Sequence, residues 1–167
     1  MTSKSLGQPT EPKPGEWLPA EEFAQVIRLT PLVAIDLVVI SQEGRVLLGR
    51  RTNEPAHGSL FVPGSRISKN ECLAAAFRRI TREELGKEVP LEQARLLGVY
   101  EHFYPTNRFK QPGYGTHYIV LAHELRLTLD PATLPKDQHG EYLWLLPHEL
   151  LASAEVHENT KAYFRKR

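Results

Sequence analysis

Residues 63–86 read PGSRISKNECLAAAFRRITREELG, a proline–glycine turn followed by a segment with helical periodicity. Three apolar side chains fall on one side of that helix, at spacings of four and three: Leu73, Phe77 and Ile80. A further step of four reaches Glu84, so a carboxylate continues the apolar side. Glutamates near helix ends ordinarily meet water. Burial of this one would therefore need a functional partner.

Both ends of this helix are marked in the sequence. Ser68 and Glu71 have the spacing of a capping box, which predicts that the helix opens at this point. Gly86 directly follows Leu85 and is the residue type that most readily ends a helix. We therefore expect one long helix that ends at Leu85.

Strand patterns surround the helix. Apolar and β-branched residues fill 32–40, and a turn at 42–44 leads to a second run at 45–48, a pattern typical of a hairpin. Further strands are expected at 60–62, 95–104, 116–127 and 141–145, and further helices at 21–28, 147–152 and 159–165. This arrangement predicts an α+β fold, a mixed β-sheet sandwiched between α-helices.

Length and composition limit the number of domains. A chain of 167 residues with 41% hydrophobic content is suited to one domain. Residues 1–16 are polar and proline-rich, which predicts a disordered extension. We therefore assign residues 17–167 to a single folded domain.

Charge and cysteine content exclude several classes of partner. Twenty-one basic and twenty acidic residues nearly cancel, so we expect neither nucleic acid nor a membrane surface as a partner. No apolar run approaches the ~20 residues that a membrane helix needs, and no export signal is evident. The single cysteine, Cys72, excludes an internal disulfide and fits a reducing compartment. A cytoplasmic location is expected.

The segment from Ser65 to Gly86 resembles the Nudix box in the spacing of its charged residues, here Glu71, Arg79, Glu83 and Glu84. Two positions depart from the general pattern. Ser65 replaces the usual glycine, and Ile80 replaces the glutamate that normally follows the arginine. Absence of that glutamate is a trait of the GDP-mannose mannosyl hydrolases within the Nudix family. Glu83, in contrast, is typical of ordinary Nudix boxes.

The resemblance to the mannosyl hydrolases extends beyond the box and covers about Trp17 to the end of the chain. It includes residues 30–33, 48–53, 61–64, 102–104, 116–118, 138–139 and 156–159. It implies Mg²⁺-dependent hydrolysis of GDP-mannose or a related GDP-sugar to GDP and free sugar, with Mn²⁺ as a substitute metal. Water would attack the anomeric carbon with inversion.

The same resemblance implies a metal site and a base. The metal would be held by the carbonyl of Gly64, the carboxylate of Glu84 and the side-chain carbonyl of Gln138, which are the hard oxygen ligands that Mg²⁺ prefers. His139 would be the general base, because the ordinary pKa of histidine suits that role near neutrality. A histidine taken at random is more often structural, and only the adjacent glutamine favours the catalytic interpretation.

Substrate contacts are also implied by the resemblance. Arg51 and Arg66 would contact the diphosphate and neutralise charge on the departing GDP, as catalytic and substrate-binding residues. Asp36, His102 and Tyr118 would lie near the sugar and the leaving diphosphate. An outward-facing Asp36 at a strand edge and core packing of Tyr118 are the alternatives.

An N-terminal segment of the resembling family helps to bind nucleotide across a homodimer, and it corresponds here to Trp17, Leu18 and Phe23. Hydrophobic anchoring of the first helix is the alternative for these three residues. Two other functions also remain open. One is a conventional Nudix pyrophosphatase that releases GMP and sugar phosphate, and the other is a noncatalytic domain that senses a nucleotide sugar.

Overall fold

The computed structural model describes residue 13 and residues 16–165, so the predicted extension over residues 1–16 lies almost wholly outside the described residues. Its helices are α1 (Ala20–Leu29), α2 (Leu73–Leu85), α3 (Pro147–Ala152) and α4 (Glu158–Lys161). Its strands are β1 (Leu32–Ile40), β2 (Val46–Arg51), β3 (Leu60–Phe61), β4 (Gly64–Arg66), β5 (Arg95–Tyr104), β6 (Thr116–Arg126) and β7 (His139–Leu145). None of the helices in this part of the chain is long and apolar enough to cross a membrane.

The strands form one mixed sheet, as predicted. Its central path runs β3-β2-β1-β6-β5. β1 and β6 are parallel along the whole of β1, from Leu32 opposite Tyr118 to Ile40 opposite Arg126. The other pairings are antiparallel, with β4 against β1 and β7 against β2. The first half of β1 therefore lies directly beside the loop that precedes α2.

The predicted hairpin between β1 and β2 is only partly right. The turn is present, but the two strands share a single register pair, Ile40 with Val46. Beyond that pair β2 runs alongside β7, from Val46 opposite Leu145 to Arg51 opposite His139. The first half of β1 is paired with β4 and is not available to β2. Most of β2 pairs instead with β7, which follows far later in the chain.

Helix α2 begins later than the capping-box pattern predicts. Ser68 and Glu71 do bond to each other, through Ser68 N–H to Glu71 Oε2 at 3.1 Å and Glu71 N–H to the Ser68 carbonyl at 3.2 Å. They close a turn, however, and Asn70 inside it has a positive φ of 62° that no helix can include. The helix starts at Leu73, which is 38% exposed, and it ends at Leu85 as predicted, with Gly86 in the left-handed conformation.

Helices cover both faces of the sheet. Alternate residues of β1, Ile35 and Leu37, pack with Phe77 and Ile80 of α2 on one face. On the opposite face Val38 packs in a cluster that includes Leu48 of β2, Leu150 of α3 and Val156 of the C-terminal segment. This sandwich of sheet between helices confirms the predicted fold class.

Candidate active site

Glu84 is buried near the end of α2, with only 2% of its surface exposed. Gln138 donates from Nε2 to Glu84 Oε1 at 2.7 Å, and His139 Nε2 lies 3.5 Å from Glu84 Oε2. Residues 84, 138 and 139 are therefore brought together across the fold. The apolar periodicity of α2 predicted this burial of a carboxylate only together with the Nudix-box spacing around it.

β2 and β7 together position Gln138 and His139. The predicted strand over residues 141–145 would leave His139 in the loop before it, but His139 is the first residue of β7 and lies opposite Arg51 of β2. Thr52 donates from its backbone N–H and from its hydroxyl to the backbone carbonyl of Gln138, at 3.1 and 3.0 Å. A Cβ at Gly49 would lie 2.4 Å from His139 Nδ1, so only glycine leaves room for this ring.

Gly64 lies close to Asp36 because β4 pairs with β1. A Cβ at Gly64 would meet Asp36 Oδ1 and the Ile35 carbonyl, both at 2.6 Å, which explains a glycine here. The loop that follows is braced by α2. Arg79 donates to both carboxylate oxygens of Glu71, at 2.7 and 2.8 Å. It also donates to the backbone carbonyl of Arg66 at 3.0 Å. Two guanidinium nitrogens on one carboxylate fix the loop's orientation.

A pocket opens between the sheet and α1. Its lining includes most of the predicted substrate and metal residues, namely Trp17, Phe23, Asp36, Arg51, Gly64, Arg66, His102, Tyr118 and Gln138. Ser65 lines it too, so the departure from the usual glycine faces the ligand space. Leu18 does not line the pocket and instead packs with Phe23, Ile27 and Leu32.

A second pocket adjoins the first and shares Trp17, Arg108 and Gln138 with it. Glu83, Glu84 and Asp137 line this second pocket, which makes it acidic. Glu83 is tied to Arg79 at 2.9 Å and its side chain is 39% exposed, whereas Glu84 is buried. His139 lines neither pocket, because its ring lies behind Glu84 and against Tyr142, with the ring centres 5.3 Å apart.

Three arginines line the first pocket, and two of them, Arg51 and Arg66, are the predicted diphosphate ligands. The Arg66 guanidinium lies 4.0 Å from the centre of the Phe23 ring and 4.6 Å from that of Trp17. That of Arg51 lies 5.7 Å from the centre of the Phe61 ring. The Nε atoms of both arginines are buried without a hydrogen-bond partner. Buried donors of this kind favour an anionic ligand.

Asp36 and His102 form the polar floor of the first pocket, and both contact a residue that the sequence analysis missed, Tyr163. The Tyr163 hydroxyl donates to Asp36 Oδ2 at 2.6 Å and lies 3.2 Å from His102 Nε2. Burial raises the pKa of Asp36 to about 6, against the opposing effect of the Tyr163 hydrogen bond. Burial lowers the pKa of His102 to about 4, and the nearby His157 adds to this shift.

The oxygen donors around Glu84 suit one hard divalent cation. Glu84 would contribute its buried carboxylate, Gln138 its amide oxygen, whose nitrogen contacts Glu84, and Gly64 its backbone carbonyl. Asp36, which lies against Gly64, is within electrostatic reach of Glu84. Among the described residues no group of three His, Cys, Asp or Glu side chains could hold a metal ion. A cation bound here would therefore need phosphate or water oxygens to complete its coordination.

Comparison with known proteins gives matches over most of the chain. Residues 30–166 match the family model for the NUDIX domain. Over 130 residues the chain is 44% identical to the low-salt glycan biosynthesis protein Agl8 of Haloferax volcanii, and the match covers 77% of this chain and 80% of that protein.

Solved structures share the fold at low sequence identity. The MutT NUDIX hydrolase from Burkholderia pseudomallei has a TM-score of 0.64 at 24% identity, over 81% of this chain and 96% of its own. The NUDIX domain of Shewanella oneidensis NrtR, complexed with ADP-ribose, has a TM-score of 0.60 at 15% identity, over 87% of this chain and 95% of its own. With the family model and the relative at 44% identity, these matches establish that the chain belongs to the Nudix hydrolase family.

Proposed function

We propose that this protein hydrolyses GDP-mannose or a related GDP-sugar to GDP and free sugar, by attack of water on the anomeric carbon with inversion. The observation that carries the proposal is the pairing of two adjoining pockets. One has a polar floor of Asp36 and His102 and is lined by arginines that include Arg51 and Arg66, and the other contains Glu84, with Gln138 shared between them. A nucleotide sugar has matching groups: sugar hydroxyls for the polar floor, a diphosphate for the arginines, and phosphate oxygens that bind a metal ion beside Glu84.

The composition of α2 supports attack on carbon. Ile80 occupies the position at which an ordinary Nudix box has a further glutamate, and it is wholly buried in the core against the sheet. The helix therefore presents one buried carboxylate, Glu84, to the site. A single cation held with the diphosphate is enough to stabilise a departing GDP, whereas attack on phosphorus commonly uses more metal charge.

Arg51 and Arg66 would bind the diphosphate and stabilise its growing negative charge as the sugar departs. Mg²⁺, or Mn²⁺ in its place, would be held by Gly64, Glu84 and Gln138 and would add charge neutralisation to the leaving group. Because a diphosphate held in this way is a good leaving group, no acid residue is needed to protonate it.

The names of two similar proteins support sugar nucleotides as the substrate class. Agl8 is named for glycan biosynthesis, and the NrtR domain was solved with ADP-ribose, itself a sugar attached to a nucleoside diphosphate. The resemblance noted in the sequence adds GDP as the nucleotide and a homodimer as the assembly. Light scattering during size-exclusion chromatography tests the assembly.

His139 remains the proposed general base, a role that requires its ring, which lines neither pocket, to reach water past Glu84. Its Nδ1 is buried without a partner, and its Nε2 lies beside Glu84. We expect His139→Gln to lower kcat by roughly 10²-fold to 10⁴-fold with little change in GDP affinity, the usual effect of losing a positioned base. Kinetics and calorimetry at several Mg²⁺ concentrations measure this. A variant that regains wild-type kcat at high Mg²⁺ would show that the ring supports the metal site instead.

The direct test of the reaction is product analysis after incubation with GDP-mannose and Mg²⁺. Chromatography should find GDP and mannose. GMP and mannose phosphate would identify a conventional pyrophosphatase, a second candidate that is favoured by Glu83 and Asp137 in the same pocket as Glu84. Ligand-induced stabilisation without turnover would identify a sensor domain.

A further inference from the structure

Tyr163 occupies a place in the site for which the sequence analysis assigned no role. It follows α4 and lies behind the pocket floor, where its hydroxyl contacts both Asp36 and His102. Its ring meets that of Tyr100 edge-on, with centres 4.7 Å apart. The hydroxyl therefore connects the two polar floor residues.

The proton arrangement of these three groups follows from the two distances. A phenol has one proton, and the 2.6 Å contact to a carboxylate oxygen of Asp36 is the stronger hydrogen bond. Towards His102 Nε2, at 3.2 Å, the same oxygen can then only accept. His102 Nε2 must accordingly carry the proton of the neutral ring. Nδ1 is left as a hydrogen-bond acceptor.

The floor of the pocket consequently offers acceptors. Asp36 keeps Oδ1 free of Tyr163, His102 keeps the lone pair of Nδ1, and both residues line the pocket. Sugar hydroxyls can donate to such groups, and the configuration of each hydroxyl decides which of them it reaches. A site built to bond a hydroxyl discriminates strongly against a ligand that cannot supply it.

We propose that Tyr163 is a positioning residue that orders the protons of Asp36 and His102, so that both accept from sugar hydroxyls and thereby set specificity for the sugar's configuration. The specificity part of this inference rests on the proposed function. The proton arrangement does not, because it concerns the protein without ligand.

The C-terminal segment is held firmly enough for such a role. Leu60 of β3 donates its N–H to the Glu155 carbonyl at 2.9 Å and accepts from His157 N–H at 3.1 Å. The His157 ring packs 4.9 Å from that of Phe61, which also lines the pocket. β3 therefore fixes the segment that carries Tyr163 relative to the floor.

Tyr163→Phe removes the hydroxyl and keeps the ring. For GDP-mannose and GDP-glucose, which differ at one hydroxyl, we expect the ratio of their kcat/KM values to fall roughly 10-fold to 100-fold, the range for hydrogen bonds to charged groups. Affinity for GDP should stay within about twofold, because GDP has no sugar hydroxyls at this floor. An unchanged ratio, or an equal loss of GDP affinity, would overturn the specificity role.

Tyr100→Phe is the matched control, because it removes a phenol hydroxyl from the neighbouring ring and leaves the contacts of Tyr163 with Asp36 and His102 in place. This variant should keep the wild-type ratio. If it loses the ratio as Tyr163→Phe does, the effect is general packing and the inference fails.

Nitrogen NMR of the His102 ring tests the proton arrangement without substrate. The wild type should show the Nε2–H tautomer at neutral pH more completely than Tyr163→Phe does, because the phenol oxygen accepts from Nε2–H only in the wild type. An Nδ1–H tautomer in the wild type would overturn the inference. If the wild type hydrolyses no GDP-sugar but shows the Nε2–H tautomer, the proposed function fails while the ordering role of Tyr163 stands.

Discussion

Glu84 and Glu83 are neighbours in the chain with different environments. Glu84 is 2% exposed and bonded to Gln138, while Glu83 forms an exposed ion pair with Arg79. An exposed ion pair contributes little, whereas a buried carboxylate is retained only with strong partners. The periodicity of α2 predicted this difference. It could not predict Tyr163, whose bond to Asp36 joins residues 127 positions apart.

The difference between the two glutamates can be tested by replacing each with glutamine. We expect Glu84→Gln to lower Mg²⁺-dependent turnover at least roughly 100-fold, because even indirect partners of metal ligands cost about 10-fold to 100-fold. Glu83→Gln should cost much less. Initial rates across a Mg²⁺ titration measure both variants. Equal losses would contradict the assignment of Glu84 as the metal ligand.

Asp36 and His102 carry opposite pKa shifts, and these should affect stability in opposite ways. The pKa of Asp36 is raised to about 6, so its contribution is present below its ordinary pKa of 3.8 and is lost as pH rises through about 6. The pKa of His102 is lowered to about 4, so its contribution is present above 6.5 and is lost as pH falls toward about 4. In the wild type the two largely offset each other.

Asp36→Asn should expose the contribution of His102. Between pH 4 and 6 we expect the free energy of unfolding of this variant to rise with pH by about 3 kcal/mol more than that of the wild type, which corresponds to the two-unit shift of Asp36. Urea unfolding at several pH values measures this difference. Parallel pH curves for the two proteins would show that Asp36 titrates normally.

The pairing of β2 with β7 is the element on which the site depends most. It sets Arg51 opposite His139, and Thr52 fixes the Gln138 carbonyl. Local patterns predicted the turn after β1 but not this partner, because apolar alternation marks a strand without naming its neighbour. The sequence suggested a loop at His139 because the residues around Gly140 are polar and show no apolar alternation at the start of β7.

Gly49→Ala tests how closely β2 must approach the His139 ring. The added Cβ would lie 2.4 Å from Nδ1 and 2.5 Å from Cγ, so the ring must move. We expect kcat to fall about 10-fold to 100-fold, since small displacements of catalytic groups have effects of this size. Gly140→Ala is the control, because its Cβ meets only Thr52 at 3.4 Å. Similar kinetics for the two variants would show that the ring position is unimportant.

At the scale of the whole molecule, the fold class and the helix that carries Glu84 were predictable because they follow from periodicity and a recurring motif. The fold brings residues of β1, of α2 and of the segment around the start of β7 to one pair of pockets. Which bond such a site cleaves depends on where the attacking water is held, and no local sequence pattern predicts that position. The central claim is therefore the site of attack.

Hydrolysis of GDP-mannose in ¹⁸O-labelled water, followed by mass spectrometry of the products, measures that site of attack. Attack at the anomeric carbon places the label in mannose and leaves GDP unlabelled, which is the result we predict. Label in a phosphate of GMP or of mannose phosphate would contradict the account and identify attack on phosphorus.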